Sequence, residues 1–173
     1  MAWALWITGL PATGKSWLAR ELQRHLKFEW LRLDLFRKEI VPKPTYSEEE
    51  RKYVYERLAE RAAALVKEGK NVVIDATDNL GTGRSKAREL IKDFGVVQLK
   101  CTPQMAAWLE ENKRKKPLPG MERLYERAKK GEIQLPGVNA PYREEQNPLI
   151  VIESTKNNSV EEWAKQVLEA MPW

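Results

Sequence analysis

Residues 9–16 read Gly-Leu-Pro-Ala-Thr-Gly-Lys-Ser, a loop framed by glycines and closed by a lysine and a hydroxyl. Gly9 and Gly14 let the backbone bend tightly enough to turn successive N–H groups onto one anion. Lys15 is placed to reach the β- and γ-phosphates of a nucleotide, and the Ser16 hydroxyl is a Mg²⁺ ligand. The expected chemistry is transfer of a phosphoryl group from Mg·ATP. Gly9, Ala12, Thr13, Gly14, Lys15 and Ser16 are the expected nucleotide contacts, with Lys15 as a catalytic group. A glycine-rich turn carrying a surface lysine is the plainer reading, and the flanks argue against it. Trp3 to Ile7 is a short apolar run that reads as a buried strand, and Trp17 to Leu22 opens a helix with apolar residues at helical spacing. Strand, loop and helix are the arrangement that such a loop requires.

The elements that must position this loop alternate along the chain. A first helix covers about 15–26, and Phe28 to Leu33 read as a second strand. Ser47 to Glu50 form a capping box for a long helix that runs to about Glu68 and stops at Gly69. A strand over 71–75, a helix near 83–93 and a strand over 96–101 follow. Thr102-Pro103 starts another helix with proline at its favoured first position. Residues 113–120 break the pattern, 121–130 resume helix, and 131–148 are largely irregular. Leu149 to Ile152 give a fifth strand, and Ser159 to Glu162 cap the last helix. This alternation predicts an α/β fold, a five-stranded parallel sheet with helices on both faces and ligands at the carboxyl ends of the strands.

Residues just after each strand should then share one crevice. Asp34 follows the second strand, where it could accept a proton from an acceptor hydroxyl or orient it; it is equally a favoured N-cap for a short helix over 35–40. Arg37, three residues on, would pair with an anionic group of the acceptor. Asp75, Thr77, Asp78 and Asn79 follow the third strand. Asp75 is placed like the acid that holds Mg²⁺ in phosphate-loop enzymes, or simply ends the strand in a turn. Asp75 and Asn79 are expected substrate contacts, and Ser16 and Asp75 the metal ligands. Lys113-Arg114-Lys115-Lys116 reads as a cationic lid over the γ-phosphate, with Arg114 as a nucleotide contact, or as a solvated charge run. Arg84 and Arg88 share a helix face and can clamp an anion, or pair with neighbours such as Glu89. His25 suits the carboxyl end of the first helix, the tryptophans suit core and interface, and Cys101 a buried apolar position.

The 173 residues fit one domain, with a lid at about 113–120. Lys and Arg number 30 against 25 Asp and Glu, an excess of +5. It is mixed through the helices, which suits an anionic small substrate and gives no continuous groove for nucleic acid. One cysteine rules out an internal disulfide. No apolar run reaches the roughly 18 residues of a membrane helix, and a cytosolic location is expected.

The residues also resemble the adenylylsulfate (APS) kinase family over nearly the whole chain. Beside Gly9–Ser16, the resemblance rests on Asp34-x-x-Arg37, on Tyr46-Ser47-x-x-Glu50-Arg51, and on Leu124 to Ile133 followed by Pro136 to Tyr142. It implies a kinase-type P-loop fold in three layers and transfer of the γ-phosphate of ATP to the 3′-hydroxyl of APS. Carried over by position, it implies Asp34 as a catalytic group and Arg37, Arg51 and Arg84 as acceptor contacts, in an enzyme that is a homodimer. The sequence departs from the family at Arg32, Val54, Glu122 and Leu135, which stand for an acid, an asparagine, a lysine and an aromatic residue. Most departures fall on the acceptor side. A kinase for a nucleoside, small metabolite or RNA end, and a non-catalytic nucleotide switch, are the alternatives.

Overall fold

A computed structural model of the chain describes residues 1–155, 157 and 159–173. Its elements run β1 (Ala4–Thr8), α1 (Lys15–Leu22), β2 (Glu29–Arg32), α2 (Leu33–Ile40), α3 (Glu48–Lys67), β3 (Val72–Asp75) and α4 (Thr82–Leu90). They continue as β4 (Phe94–Lys100), α5 (Pro103–Lys113), α6 (Leu124–Lys129), β5 (Ile150–Glu153) and α7 (Val160–Ala170). All strand pairs are parallel, in the order β2-β3-β1-β4-β5. No described helix is long and apolar enough to cross a membrane.

Alternation of side chains along buried strands builds the layers. Ala4, Trp6, Val72, Ile74 and Val96 face one way and pack with Leu58, Ala62 and Ala87 of α3 and α4. Leu5, Ile7, Val73, Val97 and Leu99 face the other way, against α1 and α7 through Leu18, Leu22, Trp163 and Val167. A third cluster, with Leu10, Tyr125 and Leu135 at its centre, lies beyond the strand ends beside the first loop. The chain leaves central β1 for β2 and β3 on one side and β4 and β5 on the other. The topological switch therefore lies beside β1, where ligands of such sheets bind, and the carboxyl ends of β3 and β2 follow on one side of it.

The predicted elements are present, with local corrections: α4 stops at Leu90 and β4 starts already at Phe94, and four further differences bear on individual residues. Helix α1 stops at Leu22, and His25 lies in the following turn, where its Nε2 is 3.6 Å from Glu21 Oε1. Helix α2 starts at Leu33, directly after β2, so its N-cap is Arg32, without a side-chain bond. Asp34 thus sits in the first helical turn rather than at the cap, where a carboxylate is still favoured by the helix dipole. At α3 only half of the capping box forms. Ser47 Oγ accepts from Glu50 N–H at 3.2 Å, but the Glu50 carboxylate turns to Thr45 and Arg37 instead of Ser47 N–H. Helix α6 starts only at Leu124, because Arg123 adopts a left-handed conformation (φ 47°) that a helix interior excludes.

Candidate active site

The phosphate loop wraps the start of α1, and its carbonyl groups are held by its own side chains and by residues from later in the chain. Lys15 Nζ donates to the carbonyls of Gly9 (3.1 Å) and Leu10 (2.8 Å), and Thr13 Oγ1 donates to Leu10 at 2.8 Å. The Tyr125 hydroxyl donates to the Pro11 carbonyl at 2.7 Å, and Ser154 Oγ to that of Thr13 at 2.6 Å. With the carbonyls occupied this way, the N–H groups are left for an anion in the concavity at the helix start. Gly14 caps α1 with φ 103°, and a Cβ there would stand 2.8 Å from the Trp163 ring. Only glycine satisfies both conditions.

Behind the loop, Ser16 Oγ donates to Asp75 Oδ2 at 2.5 Å. Burial raises the Asp75 pKa above the usual carboxylate range, against the pull of Lys15 and the Ser16 hydrogen bond. Burial likewise lowers Lys15 to about 8, although Asp75 and Asp34 favour its charge and Arg114 opposes it. A hydroxyl and a carboxylate side by side are hard oxygen donors that suit Mg²⁺, which takes one or two protein oxygens and completes its shell with phosphate and water. Among the described residues no group of three or more His, Cys, Asp or Glu is gathered to hold a metal alone. The donor set fits a cation brought with a polyphosphate.

These groups open into a cavity of about 920 Å³ lined also by Asp34, Arg37, Arg51 and Arg114. Arg37 donates to Glu50 Oε1 at 2.7 Å and lies 5.0 Å from the Tyr46 ring centroid. Burial alone would raise the Glu50 pKa, but hydrogen bonds from Thr45 and Arg37 outweigh it and hold the carboxyl below its usual range. Arg51 is 6 % exposed and, among the described residues, donates to the carbonyl oxygens of Tyr46 at 3.0 Å and Gln134 at 2.9 Å. Two guanidinium groups thus stand at this end beside a single carboxylate, which pairs with Arg37 and not with Arg51, an arrangement that favours an anionic ligand. Arg114 reaches the cavity, anchored by Glu110 at 3.4 Å and the Met121 carbonyl at 3.0 Å. Lys113, Lys115 and Lys116 are exposed and lie outside the lining.

Two expected acceptor contacts are elsewhere. Arg84, 2 % exposed, pairs with Asp78 at 3.0 Å and donates to the Asp78 and Arg143 carbonyls at 3.0 and 2.6 Å. Asn79 accepts from the Tyr55 hydroxyl at 2.9 Å and donates to the Pro141 carbonyl at 3.0 Å. Neither side chain lines the cavity; both fasten residues 141–143 to α3 and α4. Gly9 and Thr13 lie beneath the loop rather than on the cavity wall; Thr13 is buried, and a Cβ at Gly9 would stand 2.8 Å from the Leu99 carbonyl. The structure adds Lys38, Tyr46, Tyr55 and Arg127 to the wall. Tyr46 and Arg127 lie within the sequence segments that carry the family resemblance, so a signal for them existed. Lys38 and Tyr55 carry none that is visible without the fold. Cys101 is half-buried, and its thiol is pushed up to about 11 by burial, which fits an inert apolar role.

Comparison with known proteins places this geometry among relatives. The sequence model of the family described as Adenylylsulphate kinase matches residues 1–153. The probable adenylyl-sulfate kinase of Archaeoglobus fulgidus is 30% identical over 164 residues, which span 91% of this chain and 99% of the relative. The adenylyl-sulfate kinase of Thermodesulfovibrio yellowstonii is 30% identical over 168 residues, 92% of this chain and 79% of the relative. The Mycobacterium tuberculosis APS kinase, solved in complex with AMPPNP and APS, superposes with a TM-score of 0.76 at 26% identity, covering 99% of this chain and 98% of that one.

Proposed function

This chain belongs to the adenylylsulphate kinase family, and on that premise we propose that it transfers the γ-phosphate of ATP to the 3′-hydroxyl of adenylylsulfate, releasing ADP and 3′-phosphoadenylylsulfate. One observation carries the reading: Lys15, the Ser16–Asp75 pair and Asp34, from three strand ends, line one cavity with Arg37 and Arg51 at its other end. The loop N–H groups and Lys15 bind the β- and γ-phosphates. Ser16 and Asp75 would hold Mg²⁺, which neutralises charge on the phosphates when bound. Asp34 takes the hydroxyl proton as the new O–P bond forms and the bond to ADP breaks. Arg37 and Arg51 bind the acceptor's anion, and Arg114 stands over the γ-phosphate. Positioning and charge stabilisation supply the rate.

A different acceptor is the second reading, favoured by one observation: Arg84 and Asn79 are committed to the fold and not to the acceptor wall. The deciding experiment is ATP consumption with Mg²⁺, with and without APS, beside nucleosides and small hydroxylated metabolites. Saturable stimulation by APS, with the 3′-phosphorylated product, is expected. Turnover on another acceptor only would reassign the substrate and leave the donor half intact. In the same assay Asp34→Asn is expected to lower kcat about 10²-fold or more, with ATP affinity within about twofold of wild type. An unchanged kcat would remove Asp34 from the chemistry. Light scattering tests the homodimer that the family resemblance implies, and a cytosolic location fits the same reading.

Lys15 also predicts a pH dependence. It binds phosphate only while protonated, and in the free enzyme its pKa stands at about 8. Charge is therefore lost as pH rises through that value, whereas bound polyphosphate restores the proton and raises the pKa. The ratio kcat/KM for ATP is expected to fall above about pH 8, while kcat holds to higher pH. Steady-state profiles at saturating acceptor check this, and coincident profiles would argue against it.

A further inference from the structure

Side chains outside the cavity hold Arg114 relative to the phosphate loop. Glu110 sits one helical turn before Arg114 on α5, with its side chain 9% exposed. Its carboxylate takes three donors: Leu124 N–H at 2.8 Å, Tyr125 N–H at 3.1 Å and Arg114 Nη1 at 3.4 Å. Helix α6 has no side-chain cap of its own, since Arg123 precedes it in a left-handed conformation without such a bond. Glu110 supplies that cap from another helix. A carboxylate suits the place because orphan N–H groups at a helix start and a guanidinium both favour an anion.

From the same turn of α6, the phenol of Tyr125, 3% exposed, reaches the Pro11 carbonyl of the phosphate loop at 2.7 Å. A buried hydroxyl needs an acceptor, and the Pro11 carbonyl provides one. Arg114 also donates to Met121 and so closes residues 114–121 on themselves. An unbroken run of bonds therefore leads from Arg114 through Glu110 and the start of α6 to Tyr125 and Pro11. Both ends of that run, Arg114 and Pro11, line the cavity; Glu110 and Tyr125 do not.

We infer that Glu110 and Tyr125 are positioning residues that set Arg114 over the phosphate loop, so that the arginine and the loop grip the polyphosphate of ATP as one unit. The inference rests on the nucleotide reading given above and is independent of the acceptor. Calorimetric titration with Mg²⁺ and a non-hydrolysable ATP analogue tests it in wild type, Tyr125→Phe, Arg114→Ala and the double variant. Each single change is expected to weaken binding about fivefold to tenfold, and the double change little more than Arg114→Ala alone. Glu110→Gln, which keeps the shape and loses the ion pair, should behave like Arg114→Ala. In turnover, Tyr125→Phe is expected to raise KM for ATP by the same factor and change kcat less.

Tyr125 acting only as core packing would lower the melting temperature and leave the affinity of the folded protein unchanged, which would overturn the inference. Losses that multiply in the double variant would overturn it as well. A wild-type protein that fails to bind the analogue would instead overturn the nucleotide reading itself, so the two failures are distinguishable.

Discussion

Replacing Lys15 with alanine is expected to lower turnover roughly 10³-fold or more while the protein stays folded. Negative charge on the transferring phosphoryl group spreads over its oxygens in the transition state, beside a lysine whose own solvation burial has already reduced. There a fixed cation is worth far more than at the surface. The fold loses little. Lys15 Nζ donates to two loop carbonyls, but Leu10 keeps its bond from Thr13 and the Pro11 and Thr13 carbonyls keep theirs from Tyr125 and Ser154. Burial opposes the charge that is removed. Rates at saturating ATP and acceptor, beside a thermal melt, check both halves. Wild-type activity in a folded variant would end the assignment of the loop to catalysis.

Arg84→Ala is expected to do the reverse, costing about 3–5 kcal/mol of stability and leaving the acceptor KM of the folded fraction unchanged. Asp78 is fully buried, and Arg84 is its partner. Without the guanidinium, the carboxylate keeps only the N–H groups of Gly83 and residue 84, and the Arg143 carbonyl loses its donor. Burial already raises the Asp78 pKa against the pull of Arg84, so the variant would answer by taking up a proton. Set against the 5–15 kcal/mol that hold a typical domain, the loss brings the variant close to unfolding at moderate temperature. Urea denaturation measures it. A stable variant with a raised acceptor KM would return Arg84 to the acceptor site.

That contrast shows where sequence reading succeeds. The loop at 9–16 is legible because its chemistry is local: glycine conformation, a lysine and a hydroxyl within eight residues. The sheet is legible because β1, β3 and β4 are apolar runs bounded by turns. Arg37 and Arg51 stand where the motifs put them, though their partners could not be foreseen, since the spacing of Glu50 predicts a bond to Ser47 N–H and its carboxylate is spent on Arg37 and Thr45 instead. Spacing put Arg84 and Arg88 on one helix face but did not say what would face them. The groups that answer, Glu145 and the Arg143 carbonyl, arrive from a segment almost sixty residues away without regular structure. Of the four cations at 113–116, Arg114 alone enters the cavity, because Glu110 lies four residues before it on α5. Asp34 escaped its expected cap because β2 passes into α2 with no linking residue.

Two of the supports of the phosphate loop, the Ser154 hydroxyl on Thr13 and the Trp163 ring against Gly14, come from the other end of the chain. A ribosome adding about 5–20 residues per second makes the loop first and its supports roughly 7 to 30 s later. During that interval the nascent polypeptide holds the full glycine–lysine–serine signature without the geometry that grips a nucleotide. ATP is therefore expected to stabilise the chain fully only once Ser154 and Trp163 have joined the loop; until then β1 has the apolar burial and backbone hydrogen bonds of its pairing with β3 and β4.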